Sequence, residues 1–399
     1  MVRICRLLWL IAAAAAAQDW PQFLGPTRNG VYTGPWSAGS SLAPVWKREV
    51  GAGFSAPVIA QGRLILFHRQ GGEEKIESLD AATGKTVWSF AYPTGYRDDF
   101  GFDEGPRATP SIDGGRIYTF GAEGVLHGLD FASGRKVWSV DTHKQFGVAK
   151  GFFGAACSPL VEGNAVVLNI GGKGAGIVAF EKASGKVLWS ATDHAAGYSA
   201  PVAATIGGAR RLLVFTRAGL VDLDPASGKV RYEFPWRSRS NASVNAATPL
   251  VIGSLVFLSA SYSTGATLLE LGAGAPKPLW SSDEALSNHY STSVHRDGYL
   301  YGYHGRQEEG QALRCVELRT GKVAWSVDRF GAGTITLAGD HLLVMRESGE
   351  LVMAPATPKE FRPARRAQLL PREVRAYPAL AGGRIYVRNE SALVCARID

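Results

Sequence analysis

A glycine followed four residues later by an aromatic returns along the chain every 40–50 residues or so, a period that restricts the fold to a stacked or radial array of like units. Leu79–Trp88 and Leu129–Trp138 are the fullest copies, each running Leu-Asp-x-x-Thr/Ser-Gly-x-x-Val-Trp. Ser184–Trp189, Ser227–Tyr232 and Thr320–Trp325 keep the Ser/Thr-Gly-Lys core. Pro276–Trp280 is a degraded copy and Thr357–Phe361 the weakest. Glycine at the turn supplies a positive φ without steric strain, and the preceding hydroxyl can bond the local backbone.

A second pattern alternates with the first: a small residue, any residue, usually proline, then an apolar pair. Ser55–Ile59, Ala108–Ile112, Cys157–Val161, Ser199–Ala203, Ala247–Val251 and Ala376–Leu380 show it in full, and Ser291–Val294 and Gly333–Thr336 lack the proline. The first position is small in all eight copies, as expected of an innermost strand crowded around an axis. Between these anchors each unit reads as four short β runs. In the second complete copy they are Thr109–Ile112, Arg116–Phe120, Val125–Asp130 and Lys136–Val140, strands A to D, separated by Gly-, Asp- and Ser-containing turns. Four antiparallel strands repeated eight times predict an all-β, eight-bladed β-propeller. The strand-D anchors, counting Trp46 and Phe361, are offset by one from the strand-A anchors. The N-terminal strand around Trp46 is therefore expected to complete the last blade, whose own strands, Tyr377 to Ile398, stop after C.

Ahead of the repeats, Arg3 and Arg6, the apolar run Leu7–Ala13 and Ala15-Ala16-Ala17 form the three parts of a secretory signal peptide cleaved near Ala17–Gln18. The expected division is a leader over 1–17, an N-terminal arm over 18–43 and the propeller over 44–399, in a periplasmic or secreted monomer. Cys5 lies upstream of the apolar run, not at the cleavage site where a lipid anchor needs it. No other stretch approaches the ~18 apolar residues of a membrane span. The formal charge of +8 falls to +6 once Arg3 and Arg6 are removed. The one dense basic run, Arg362 to Arg375, reads as a solvated connection, and no basic stripe interleaved with stacking aromatics marks a nucleic-acid partner. Cys157, Cys315 and Cys395 are dispersed and fall in small-residue slots of the repeat, so buried thiols are expected, with no zinc or c-type haem motif.

The Asp-x-x-Thr/Ser-Gly-Lys-x-x-Trp copies resemble the pyrroloquinoline quinone (PQQ) repeat, and Asp19–Pro26 resembles the N-terminal arm of exported PQQ-binding-like β-propeller repeat proteins. The resemblance covers the mature chain. It implies eight blades, built either as in the quinoprotein alcohol dehydrogenases or as in the non-enzymatic propeller of the bacterial outer-membrane barrel-assembly machinery. Methanol-dehydrogenase-like members carry a vicinal disulfide, and this chain has no adjacent cysteines.

Uniform C–D turns mark one face as structural. Function is expected on the other, where the D–A connections vary (92–107, 142–156, 193–198, 235–245, 283–290 and 361–377) and three B–C loops join them (68–75, 171–176 and 304–311). On that face Arg107, Lys173, Arg237 and Arg239 are candidates for an anion such as PQQ. Tyr198, Trp236, Phe152, Phe153 and Tyr290 are candidates for stacking on a planar ring. Glu123, Asn245, Asp98, Asp99, Asp103 and Glu104 are candidate oxygen ligands for Ca²⁺, and His194 and His289 candidate acid–base groups. The expected function is a ligand- or protein-binding scaffold, non-enzymatic, with an unknown small ligand or an envelope protein as its partner. The alternative is a PQQ- and Ca²⁺-dependent oxidoreductase acting on alcohols or sugars.

Overall fold

In the computed structural model residues 19–240 and 244–399 are described, so the leader assigned to 1–17 lies outside the described residues. Eight antiparallel sheets follow one another around an axis: blade 1 over 58–93, blade 2 over 111–141, blade 3 over 160–191, blade 4 over 202–235, blade 5 over 250–282, blade 6 over 294–327, blade 7 over 333–368, and blade 8 over 379–397 with Pro44–Glu49 as its outer strand. That last pairing sets Trp46 opposite Cys395, so the N-terminal strand does close the ring. The one α-helix among the described residues, Thr142–Phe146, is capped by the Asp141 side chain at the Lys144 amide.

Two belts of hydrogen bonds join the blades. In the outer belt each strand-D indole donates to a carbonyl at the end of the next blade's strand C. Trp46 reaches Ala81 (3.2 Å), Trp88 reaches Phe131 (3.1 Å), Trp138 reaches Lys182 (3.2 Å) and Trp189 reaches Pro225 (3.1 Å). Trp280 and Trp325 do the same to Leu318 and Thr357, both at 2.8 Å. In blade 4, where tyrosine replaces tryptophan, the Tyr232 hydroxyl reaches Ala273 at 2.9 Å. The repeat glycine is the receiving surface. A Cβ on Gly84, Gly134, Gly185, Gly228 or Gly321 would overlap the preceding blade's Trp46, Trp88, Trp138, Trp189 or Trp280. The inner belt uses the residue after each small slot. The Ala56 amide donates to the Thr109 hydroxyl, Thr109 to Ser158, Ala200 to Thr248, and Thr248 to Thr292. This belt displaces the start of strand A in blade 2 from the expected Thr109 to Ser111, because Thr109 is bonded sideways to its neighbours.

Three sequence expectations need correction. The outer strand of blade 7 is Arg365–Gln368, not the run ending at Phe361. Thr357 accepts the Trp325 indole as a repeat residue should, but Phe361 folds back onto Trp325 and Phe330, with ring centres 5.6 and 5.5 Å away. The basic run is consequently not one solvated connection: Arg365 and Arg366 lie in a strand, with Arg366 paired to Glu350 at 3.1 Å. His68 belongs to the strand Arg63–Gln70 and is fully buried, so the B–C connection of blade 1 shrinks to Gly71-Gly72.

The arm, residues 19–43, lies along the axis and crosses the innermost strands. Trp20 pairs with Ile59 of blade 1, the Pro21 carbonyl accepts from Ile112 of blade 2, and Val31–Tyr32 run parallel to the first strand of blade 7. Arg28, buried to 3 % exposure, donates to the carbonyls of Pro159 and Pro201 and to Ser111 and Gln22. Nothing in the repeat arithmetic required the channel to be filled from within. Between blades 7 and 8, where no tryptophan docks, the arm supplies the seam. Trp36 covers Gly339, and the Ser37 amide and Ser40 hydroxyl bond the carbonyls of Ile398 and Arg397.

The seam between blades 8 and 1 carries a buried ionic cluster. Glu77 meets Arg48 (3.1 Å), His68 (3.1 Å) and Lys75 (3.2 Å), and His68 Nδ1 accepts the Gly51 amide at 2.7 Å. Burial would raise the Glu77 carboxyl, but the His68 hydrogen bond and the Arg48 and Lys75 charges outweigh it and hold the group at about 2. Burial lowers His68, which stays neutral.

Two predictions follow from these contacts. Gly134 and Gly114 both have positive φ (73° and 54°), but only Gly134 faces an indole. Alanine at Gly114 should cost about 1 kcal/mol of backbone strain. At Gly134 overpacking against Trp88 adds about 1–3 kcal/mol more. Equal losses in chemical denaturation would refute the docking role. For the seam, both folded-state values lie below those of the unfolded chain, so the unfolded chain takes up protons first and acid destabilises the fold. The thermal midpoint should fall as pH drops below 6.5 and fall again between 4.5 and 2, with Glu77→Gln flattening the second step. Parallel profiles for the two proteins would remove Glu77 from the account.

Candidate functional site

The segment that leads into strand A carries the small slot and the residue before it. The small slot faces the neighbouring blade, and Ser55, Ala108, Cys157, Ser199, Ala247, Ser291 and Ala376 are all buried there. The residue just before the slot faces the axis. Phe54, Arg107, Ala156, Tyr198, Ala246, Tyr290 and Arg375 hold that position in seven blades, and all seven line one cavity of ≈ 220 Å³ at the channel mouth. D–A residues Phe102 and Phe153 and B–C residues Tyr262, Gln307 and Glu308 complete its rim, which places both loop sets on one face. Its floor is Phe23 of the arm, edge-on to Tyr377 with ring centres 5.1 Å apart. The arm thus turns an open channel into a blind pocket.

The wall is stiffened by arginines laid on rings. Arg107 lies 5.0 Å from the centre of Phe54 and 5.3 Å from Phe153, while Arg375 lies 5.3 Å from Phe54 and 5.5 Å from Phe102. Such stacks stabilise by roughly 0.5–2 kcal/mol each. Arg107 is otherwise engaged, donating to Asp98 (3.0 Å) and to the carbonyls of Phe153 and Asp103. Across the cavity His289 bridges Gln307 at Nδ1 and the Tyr262 hydroxyl at Nε2, the latter at 3.1 Å. Burial lowers its pKa, more than the Gln307 contact raises it. With the Gln307 oxygen accepting from Nδ1–H, Nε2 is left to accept the tyrosine proton.

Of the sequence candidates Arg107, Glu123, Lys173, His194, Tyr198, Trp236, Asn245 and His289, three, Arg107, Tyr198 and His289, meet in this cavity. Lys173 is exposed on the rim of an adjoining cavity of ≈ 360 Å³, formed by the glycine-rich loop and the 147–156 segment. The other four hold structure. Glu123 accepts from Thr94 and the Gly95 amide. His194 bonds Thr216 at 3.0 Å. Trp236 stacks on Phe234 (6.1 Å, 21°). Asn245 ties the carbonyls of Thr216 and Trp236 together. Arg237 and Arg239 are exposed outside either cavity, and Phe152 and Tyr290 line the adjoining cavity and the mouth respectively.

The oxygen ligands proposed for Ca²⁺ do not assemble. Asp98 holds Arg107 and three backbone amides, Asp99 pairs with Lys150, Asp103 caps the Gly53 and Gly105 amides, and Glu104 pairs with Arg97. Among the described residues no three His, Cys, Asp or Glu side chains form a metal-holding group. A calcium-held PQQ does not fit this donor set, since every carboxylate on the loop already has a protein partner. Cys157, Cys315 and Cys395 are buried free thiols.

The residues missed from sequence, Phe54, Tyr262, Gln307, Arg375 and Tyr377 among them, were findable in part. The slot-minus-one register marks Phe54 and Arg375, whereas the B–C residues and the arm's Phe23 follow no repeat.

The fold and this mouth define an eight-bladed propeller of the PQQ-repeat class, its channel closed by its own arm. The sequence matches the family described as outer membrane protein assembly factor BamB over residues 72–327 and 309–399, and the chain belongs to that family. It is similar to BamB of Burkholderia pseudomallei (strain K96243), with 23 % identity over 295 residues, 71 % of this chain and 69 % of the relative. Among solved structures, BamB from Moraxella catarrhalis superposes with a TM-score of 0.65 at 16 % identity, covering 89 % of this chain and 97 % of that one. Quinohemoprotein alcohol dehydrogenase from Comamonas testosteroni gives 0.68 at 14 % identity, covering 96 % and 80 %. At these identities the two structures establish the fold and nothing more.

The Asp98 carboxylate bonds the amides of Phe100, Phe102 and Asp103 and the guanidinium of Arg107 at 3.0–3.1 Å. Hydrogen bonds to a charged group contribute about 1.5–3 kcal/mol. Asp98→Ala should therefore speed amide hydrogen exchange across 98–107 about tenfold or more while the blades stay protected. Unchanged exchange would show the loop to be held by other means.

Proposed function

We propose that the chain is an exported, non-enzymatic binding propeller that docks a protein partner of the cell envelope on its D–A/B–C face and uses no PQQ. One observation carries this. Phe100 and Phe102, 53 % and 47 % exposed, stand out on the 94–110 loop and pack with Phe152 and Phe153 into a single aromatic patch beside the cavity. Aromatic side chains are enriched at protein interfaces, and a monomer seldom displays such a cluster without use. Asp98 holds the patch in place before any partner arrives, which lowers the ordering cost of association.

The family supports a scaffold, as does the Burkholderia relative, whose name is that of an outer-membrane protein assembly factor. Envelope residence rests on the leader read at 1–17. Among the described residues no helix is long and apolar enough to cross a membrane.

The test is photocrosslinking in the native envelope from a site beside Phe100. One partner should be recovered reproducibly, and Phe100→Ser/Phe102→Ser should reduce its capture by about 30-fold, the effect of losing an aromatic anchor. Equal capture by the double variant would move the interface elsewhere. Binding heat with PQQ and Ca²⁺, followed by dye reduction with alcohols or sugars, would overturn the non-enzymatic reading.

A further inference from the structure

The mouth cavity has a ligand chemistry of its own, although it shares Phe102 and Phe153 with the patch beside it. At ≈ 220 Å³ it falls below the range of about 300–1,000 Å³ usual for drug-sized ligands, so it has room for one ring and not for a fused polycycle. Its walls are ring faces and edges contributed by blades on every side. Its free polar groups are mostly donors. The Arg375 Nε is 3.0 Å from Glu347, and neither of its Nη amines makes a hydrogen bond among the described residues. The Tyr198 oxygen accepts the Phe153 amide at 2.8 Å, leaving its own proton to donate. Gln307 contacts His289 through its oxygen, leaving its amide nitrogen to donate.

The charges on the lining point the same way. Arg107 and Arg375 face the cavity, while the carboxylates that pair with them, Asp98 and Glu347, are absent from its lining. Glu308 is the one carboxylate on the lining, and it pairs with Arg306 at 3.3 Å. A ring-shaped apolar space with surplus donors and two inward guanidinium groups complements a ring bearing an anion.

We infer that the channel mouth is a binding site for a free, single-ring aromatic carboxylate, with the ring among Phe54, Phe153 and Tyr198 and the carboxylate at Arg375. The blind floor made by Phe23 limits how deep the ring can go, so entry and exit are both through the loop face. The site needs neither a protein partner nor a cofactor, and its test is independent of both.

The experiment is isothermal titration of the mature chain with 3-phenylpropionate, and in parallel with its neutral amide, 3-phenylpropionamide. The acid should bind, and the amide should bind about tenfold or more weakly, as expected when a charge-assisted hydrogen bond is lost. Arg375→Gln should weaken the acid by a similar factor and the amide by clearly less. Ala246→Leu, which fills the space without touching a charge, should abolish binding of both. Thermal midpoints of the variants, measured alongside, establish that each is folded. No heat with the acid at millimolar concentration, or equal affinity for acid and amide, would overturn the inference. So would an Ala246→Leu variant that binds like the parent.

Discussion

The structure depends on one contact repeated around the ring: an indole from one blade laid on the glycine turn of the next. A four-stranded blade buries its two faces only against neighbours, so a propeller is stable only when every seam is made. The indole makes the seam specific. Its ring excludes any side chain larger than hydrogen at the glycine, and its N–H donates to a carbonyl at the strand end, which at Ala81 and Lys182 also accepts a tyrosine hydroxyl. The residue opposite the indole on strand C is small in five blades, Ser78, Gly128, Ala179, Cys315 and Cys395, whereas Leu268 stands opposite Trp280. Two of the buried thiols, Cys315 and Cys395, therefore fill positions whose volume an indole limits.

Where the indole is missing, the seam is rebuilt by other means. Between blades 4 and 5 tyrosine replaces tryptophan, and the residue opposite it becomes Asp222. Asp222 binds Arg211 at 2.7 Å, both nearly fully buried, and Arg211 reaches the Gly272 carbonyl of the next blade. A buried ion pair is a weaker source of stability than an apolar dock, because desolvation offsets much of its attraction. Here it adds direction, linking two blades whose repeat turns have diverged. Between blades 7 and 8 the arm provides the substitute. The two most degraded repeats thus carry the two least regular seams.

The blades, their number and the closure at Trp46 were legible in the sequence because each is a local pattern recurring at fixed spacing. Phe361 misled for the same reason: it sits at the expected interval from Thr357, but the chain needs four more residues before pairing resumes at Arg365. The candidate site was half legible. Arg107, Tyr198 and His289 lie on loops that vary, and variation pointed to the face on which the cavity opens. His194, Trp236 and Asn245 lie on such loops and Glu123 on the B–C turn of blade 2, and all four serve the loops themselves, a distinction composition cannot make because either role calls for polar or aromatic residues. The arm's place in the channel left no periodic trace at all.

That place follows nonetheless from the geometry of the ring. Eight innermost strands converge on an axis, and irregular backbone around their prolines leaves carbonyls such as those of Pro159 and Pro201 without strand partners. The Pro159 carbonyl accepts the Ser111 hydroxyl, and a further donor is brought to both carbonyls from the arm. Arg28 is such a donor, with a planar fork able to serve several acceptors at once, where a lysine would present a single point of charge. Arg388 repeats the solution at the wall, fully buried and bonded to the carbonyls of Phe67, Gly51 and Asn389. In both cases burial lowers the guanidinium only to about 10, so each remains charged. The arm is held by polar geometry and not by its own apolar surface alone. Because the arm lies along the axis, the loops at the open end face a cavity floored by Phe23.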